Sequence, residues 1–239
     1  MSASLVNAEP RVLGSLGPVG PLAFGCWRFT TASVDDATAL VATALDLGMN
    51  LVDTADVYGL DFGGEGFGAN ETLLGRVLAH DPTLRDRMVI ATKGGIVPPV
   101  PYDSGSTALT AACEASLRRL GVDTIDLYQV HRPDLFTHPA DVAATLTALR
   151  ETGKVREVGV SNHTVAQYDA LAGISTSHSS RCSRSSPRRA RPSARRHLRP
   201  LHARRGRAVG VEPARRRPAR ERRRHPTRAA RCSGGAGRS

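Results

Sequence analysis

No apolar run in the sequence approaches the length of a membrane span, and the N-terminal "MSASLVNAEPRVLGSLGPVG" has no basic stretch leading into an apolar core. Neither a membrane-spanning protein nor a cleaved secretory leader is expected, and the chain reads as cytoplasmic. Cysteines are few: Cys26, Cys113, Cys182 and Cys232 show no paired or metal-ligand spacing, so neither a disulfide framework nor a metal site is expected. The first strand-like run, "PLAFGCW" (21–27), is not followed by a GxGxxG turn, which argues against a dinucleotide-binding Rossmann half. "GLDFGGEGFG" (59–68) is rich in glycine but lacks the Lys-Ser/Thr of a phosphate-binding P-loop. It reads instead as a flexible active-site loop. The C-terminal stretch of the chain is the poorest of all. From 175 to 239 there is no Lys, Asp, Asn, Gln, Ile, Met, Phe, Tyr or Trp, and the larger aliphatics are Leu198, Leu201, Val209 and Val211.

The net charge of +11 invites a nucleic-acid reading, but its distribution does not support one. Residues 1–174 hold 12 Lys+Arg against 20 Asp+Glu, a net of −8, whereas 175–239 hold 21 Arg against Glu212 and Glu221, a net of +19. All of the basicity belongs to the tail. Its composition cannot build a core and predicts disorder. It has no interleaved aromatics or repeating motif of a nucleic-acid module, so no specific nucleic-acid partner is expected.

The first 174 residues alternate between strand-like and helix-like stretches. After "PLAFGCW", "SVDDATALVATALDLG" (33–48) places Ala37, Leu40, Val41, Ala44 and Leu45 at helical spacing between a Ser33 cap and the Gly48 stop. The second unit is "MNLVDTAD" (49–56) with a helix over 70–80 capped by Asn70. The third is "MVIATKGG" (88–95) with a helix over 107–121 whose apolar side carries Ala111, Ala115, Leu117 and Leu120. "TIDLYQVHRPD" (124–134) pairs with a helix over 139–154, and "VREVGVSN" (155–162) with a helix over 164–173. Five strand–helix units predict parallel strands with helical crossovers, in an open doubly wound sheet or a (β/α)8 barrel.

Parallel βα folds gather their chemistry where strands end. Those ends carry Asp53, Lys93, His131, and Ser161 with Asn162, while Tyr58 follows Asp53 by five positions and Trp27 closes the first strand. Taken singly, each has an ordinary use: Asp53 as a turn residue, Lys93 as a solvated charge, "SN" as a helix cap, Trp27 as core. The set as a whole is less easily explained that way.

"DTADVYG", "ATKGG", "LYQVHRPD" and "VGVSNH", in this order and spacing, resemble the aldo-keto reductase superfamily from about residue 11 to residue 173, in its bacterial oxidoreductase form. "RVLGSLGPV" looks like the N-terminal β-hairpin that plugs the barrel floor in that family. The resemblance implies an α/β fold, here a partial (β/α)8 TIM barrel with an N-terminal β-hairpin. It also implies reduction of an aldehyde or ketone to an alcohol with NADPH, preferred to NADH on family habit alone. The partner is then a small-molecule carbonyl substrate. Tyr58 would be the general acid. Lys93, held as a cation by Asp53, would stabilise phenolate, and His131 would polarise the carbonyl. Ser161 and Asn162, with Asp53 beside them, would meet the nicotinamide end of the cofactor. Trp27, Tyr58 and His131 would line the substrate pocket.

The resemblance covers five of eight βα units. The chain accordingly reads as an incomplete barrel over 1–174 and a disordered Arg/Pro/Ser/Ala-rich tail over 175–239. An out-of-frame reading of a GC-rich gene from about Ile174–His178 would account for the tail. The first and fifth strands are then expected to be unpaired edges, in a chain that folds poorly and binds NADPH weakly. Two other readings use the same residues: a non-catalytic cofactor- or partner-binding subunit, and polyanion binding through the tail.

Overall fold

The computed structural model describes residues 9–30, 33–61, 63–177 and 208–211, with the backbone path alone at 174–177 and 208–211. The expected disordered tail, 175–239, therefore lies outside the described residues except for 175–177, which continue the last helix, and 208–211; Cys182 and Cys232 lie outside them too. A short antiparallel hairpin opens the fold, pairing β1 (Arg11–Val12) with β2 (Pro18–Val19). A parallel sheet follows, made of β3 (Ala23–Gly25), β4 (Leu51–Asp53), β5 (Val89–Gly94), β6 (Ile125–Val130), β7 (Val155–Ser161) and β8 (Ala208–Val211), hydrogen-bonded in chain order. The connecting helices are α1 (Val34–Asp46), α2 (Ala69–His80), α3 (Ser106–Leu120), α4 (Pro139–Glu151) and α5 (Val165–Ser177). Five expected strand–helix units are thus present in the expected order.

Local chemistry explains most of the boundaries. Ser33 accepts the Asp36 N–H at 3.0 Å, and Asp35 and Asp36 sit in the first turn of α1, where the helix dipole favours negative charge. α3 ends at Gly121, whose φ of 66° is the left-handed conformation that glycine adopts without a Cβ penalty. β5 and β6 are buried at every position, because helices cover one side and the sheet interior the other.

Three expectations need correcting. Gly68, in the left-handed region at φ 79°, takes the cap position of α2; Asn70 lies within the first turn and its side chain reaches back to the first strand's exit. On α3 the buried face is Leu109, Cys113, Ser116 and Leu120, and Ala111 is exposed. Of the expected stripe, Leu120 is buried and Leu117 packs against the core; the centre of the face is shifted toward Cys113 and Ser116, since a thiol and a small serine fit the crowded side. The fifth strand, β7, is not an unpaired edge: β8 joins it in parallel, with Val158 opposite Ala208 and Ser161 opposite Val211. An open strand edge offers a row of backbone donors and acceptors, and "AVGV" is the one stretch of the tail with two closely spaced β-branched residues. β3 does stand at the other end of the sheet, and its Ala23 and Gly25 are exposed.

Strand alternation and register arrange the inner face in tiers. Leu51 is opposite Val89; one tier up, Asp53, Ala91, Leu127 and Glu157 are in register; above them come Lys93, Gln129 and Gly159. The hairpin seals the lower end, where Leu16 and Val19 pack with Val89, Ala91 and Leu127. Glu157 accepts the Ser15 N–H, and Asn50 accepts the Gly20 N–H while donating to Pro18 O. The larger core lies between the sheet and its helices.

Candidate active site

At the upper end, where the strands terminate, a cavity of about 280 Å³ opens, lined by Trp27, Asp53, Tyr58, Lys93, His131, Ser161 and Asn162 together with Val57, Asp61, Ile96 and Arg132. All seven site residues singled out from the sequence meet there. Asp53 is the last residue of β4, Lys93 is near the end of β5, His131 follows β6 and Ser161 ends β7. Trp27 sits on the short 3-10 turn Cys26–Arg28 after β3.

Lys93 is the hub. It is 3% exposed, and its Nζ donates to Asp53 Oδ2 at 2.8 Å, to the Thr54 carbonyl at 2.8 Å and to the Tyr58 hydroxyl at 3.2 Å. Burial works against its charge, but Asp53 and Tyr58 outweigh burial and leave the ammonium pKa above its ordinary value. Burial raises the Tyr58 pKa, with Lys93 pulling in the opposite direction. The Tyr58 ring meets His131 edge-on, with centroids 5.7 Å apart, and the Trp27 ring centroid lies 6.4 Å away. Burial, then the positive charges of Lys93 and Arg132, push the His131 pKa down to about 3, so the imidazole is neutral at physiological pH. A cation in contact with a protonated phenol, beside a neutral imidazole, can deliver a proton to an oxygen and stabilise the anion left behind.

The opposite wall is held by an unusual backbone. Asn162 adopts φ 61°, a left-handed conformation that asparagine tolerates better than most residues. Its Nδ2 donates to His131 O at 2.9 Å and to Ser161 Oγ at 3.0 Å. The turn after β7 is therefore clamped to the turn after β6.

Some participants escaped the sequence reading. Gln129 is fully buried on the His131 side of β6, and neither polar atom of its amide has a partner among the described residues. Period-two alternation was the signal that could have found it, since it lies two positions before His131. Behind the site, Glu71 accepts from the Thr92 hydroxyl and from Arg119 Nε, the latter at 2.7 Å. Burial first, then the Glu71 charge, raise the nearby Asp56 carboxyl to about 8, despite the opposing pull of Arg119. Cys26 and Cys113 are free, buried thiols whose pKa burial raises. No His/Cys/Asp/Glu group suited to a metal occurs among the described residues, and no described helix is long and apolar enough to cross a membrane.

Comparison with known proteins gives a consistent picture. The family model described as "Aldo/keto reductase family" matches residues 21–188. A 6-dehydroglucose reductase from Novosphingobium aromaticivorans is 52% identical over 164 residues, covering 67% of this chain and 54% of the relative. A second protein of that name, from Agrobacterium fabrum, is 36% identical, covering 59% of this chain and 49% of its own length. Among solved structures, a glycerol dehydrogenase from Gluconobacter oxydans superposes with a TM-score of 0.60 at 34% identity, covering 70% of this chain and 52% of that one. The holo form of an aldo-keto reductase from Bacillus halodurans gives 0.54 at 29% identity, covering 65% and 51%. The chain spans about half the length of the relatives it matches.

Proposed function

The chain belongs to the aldo/keto reductase family, and on that premise we propose that it reduces an aldehyde or ketone to an alcohol with hydride from a reduced nicotinamide dinucleotide. The observation that carries this reading is the position of Lys93 Nζ, 2.8 Å from the Asp53 carboxylate and 3.2 Å from the Tyr58 hydroxyl, in a cavity shared with His131. Tyr58 is the proton donor. Its raised pKa keeps the phenol protonated until its O–H bond breaks toward the carbonyl oxygen. The phenolate so formed rests against Lys93, which Asp53 keeps charged, and takes its proton back from solvent. Neutral His131 donates a hydrogen bond to the same carbonyl oxygen and polarises it.

When bound, the nicotinamide supplies the hydride. Ser161 and Asn162 suit its carboxamide. Ser161 Oγ accepts from Asn162 Nδ2 and keeps its own O–H to give, and the Asn162 side-chain oxygen is an acceptor. NADPH is the proposed cofactor, with NADH the comparison. The substrate is proposed to be a small hydroxylated carbonyl compound. Trp27, Val57 and Ile96 offer it an apolar wall, and Asp61 and Arg132 offer charged hydrogen-bonding groups at the mouth. The names of the relatives, a 6-dehydroglucose reductase and a glycerol dehydrogenase, fit that class.

The test is loss of reduced-nicotinamide absorbance when the purified chain meets NADPH or NADH and a panel of hydroxylated aldehydes and ketones. Turnover should appear, slowed by a described sheet that stays open at six strands, and should fall at least about a hundredfold further in Lys93→Met. No oxidation with either cofactor, together with a melting curve that neither cofactor raises, would overturn the reading. Cofactor binding without turnover would favour the non-catalytic subunit instead.

A further inference from the structure

Asn70 is 1% exposed, and it bonds to both aromatic walls of the cavity without lining it. Its Nδ2 donates to Cys26 O at 2.6 Å and lies 3.4 Å from Trp27 O, while its backbone N–H donates to Tyr58 O at 3.4 Å. Cys26 O also takes the Phe29 N–H, so the 3-10 turn carrying Trp27 closes on a carbonyl that Asn70 holds from outside. The next residue, Glu71, is tied to Thr92 on β5 and to Arg119 on α3. The first turn of α2 is therefore fixed on one side to the sheet and α3. On the other side it grips the two loops that carry Trp27 and Tyr58. Trp27 and Tyr58 come from adjacent strand exits, and their rings stand 6.4 Å apart.

We propose that Asn70 is a positioning residue: its side-chain amide sets the place of Trp27 relative to Tyr58 and hence the width of the substrate side of the pocket. The idea rests on the reductase reading for its catalytic consequence, but not for its structural one. It needs Asn70 as a donor and not merely as a filler, because both groups facing Nδ2 are carbonyl oxygens. A carboxylate of the same size would set acceptor against acceptor and release the turn. The carboxamide-binding end, Ser161 and Asn162, lies on β7 and beyond, with no bond to Asn70. The effect should therefore fall on the carbonyl substrate and spare the cofactor.

Trp27 is the only tryptophan in the chain, so its fluorescence reports this site alone. Asn70→Ala and Asn70→Asp are compared with Asn50→Ala, which removes a similar side-chain-to-backbone link at the opposite end of the sheet. In both Asn70 variants Trp27 emission should move to longer wavelength and acrylamide quenching should rise. kcat/KM for the carbonyl should fall about tenfold while cofactor affinity holds. Asn50→Ala should lower the melting temperature and leave Trp27 emission unchanged. An unaltered Trp27 spectrum in a folded Asn70→Asp variant would overturn the proposal, as would an equal spectral change in Asn50→Ala. Should the Asn70 variants fail to fold, hydrogen exchange of the Asn70 side-chain amide in the unmodified chain decides the matter. Protection supports the tether, and exchange as fast as that of an exposed amide sinks it. Absence of turnover in the unmodified chain would defeat the proposed reaction only, because the Trp27 measurements need no substrate.

Discussion

The two ends of the parallel sheet are built from the same strands and do opposite work. At the lower end the inward side chains Val89, Ala91 and Leu127 meet Leu16 and Val19 of the hairpin in an apolar seal. Two residues beyond Ala91 on β5, on the same face, stands Lys93; four beyond Leu127, past Gln129 and just after the end of β6, stands His131. Because strand side chains alternate, a step of two residues is enough to pass from packing to chemistry. The register shows how the upper end is joined. Asp53 is opposite Ala91, not Lys93, so the ion pair crosses one tier of the sheet. A lysine can make that crossing because its flexible four-carbon stem lets the buried ammonium reach back one tier to the carboxylate. Of the two ends, the lower serves packing and the upper reactivity.

If that division holds, damage to one end should leave the other intact. The largest effect is expected from Tyr58→Phe. The ring contacts with Trp27 and His131 remain and only the hydroxyl is lost, so carbonyl reduction should fall by about 10²–10⁴ with a melting temperature close to that of the unmodified chain. Steady-state kinetics beside a thermal melt check both halves; equal losses in each would erase the distinction. Leu127→Ala tests the other end. Leu127 is fully buried between the hairpin and the strands, and truncation should cost about 2–5 kcal/mol in denaturant unfolding. Trp27 emission in the folded fraction should not change. A shifted spectrum would mean that the seal also shapes the rim.

The rim was far more legible in the sequence than the links that hold it. Asp53, Lys93 and His131 stand out because each ends an apolar run whose direction is set by the βα alternation. Tyr58 follows in a loop and needed the resemblance to the family, since its reach depends on a chain path that no periodicity predicts. Asn70 was misread as a helix cap because asparagine at a helix start has two uses, and the choice between them depends on a carbonyl 44 residues away. The pairing of β8 with β7 was invisible for a similar reason. A four-residue segment with weak strand propensity is recruited by an edge that exists only once the sheet has formed. Sequence patterns report local periodicity; contacts across the fold do not leave a period.

The smallest expected effect separates the rim from the polar layer behind it by their response to pH. His131 titrates near 3 in the folded chain against an ordinary 6.5, so between those values the unfolded chain binds a proton that the folded chain refuses. Stability on this account falls as pH drops from about 6.5 toward 3. Asp56 acts with the opposite sign. Its folded carboxyl keeps a proton up to about 8 against an ordinary 3.8, so its contribution is lost as pH rises between those values. From about 4 to 6.5 the two slopes oppose each other; below that window His131 dominates, and above it Asp56 does. Relaxation of the surrounding polar groups weakens both, leaving about 1–2 kcal/mol each. Urea unfolding across this range should show His131→Gln losing less stability than the unmodified chain on the acid side, and Asp56→Asn losing less as pH approaches 8. If both substitutions flatten the same side of the profile, the rim and the layer behind it titrate as one unit and the separation fails.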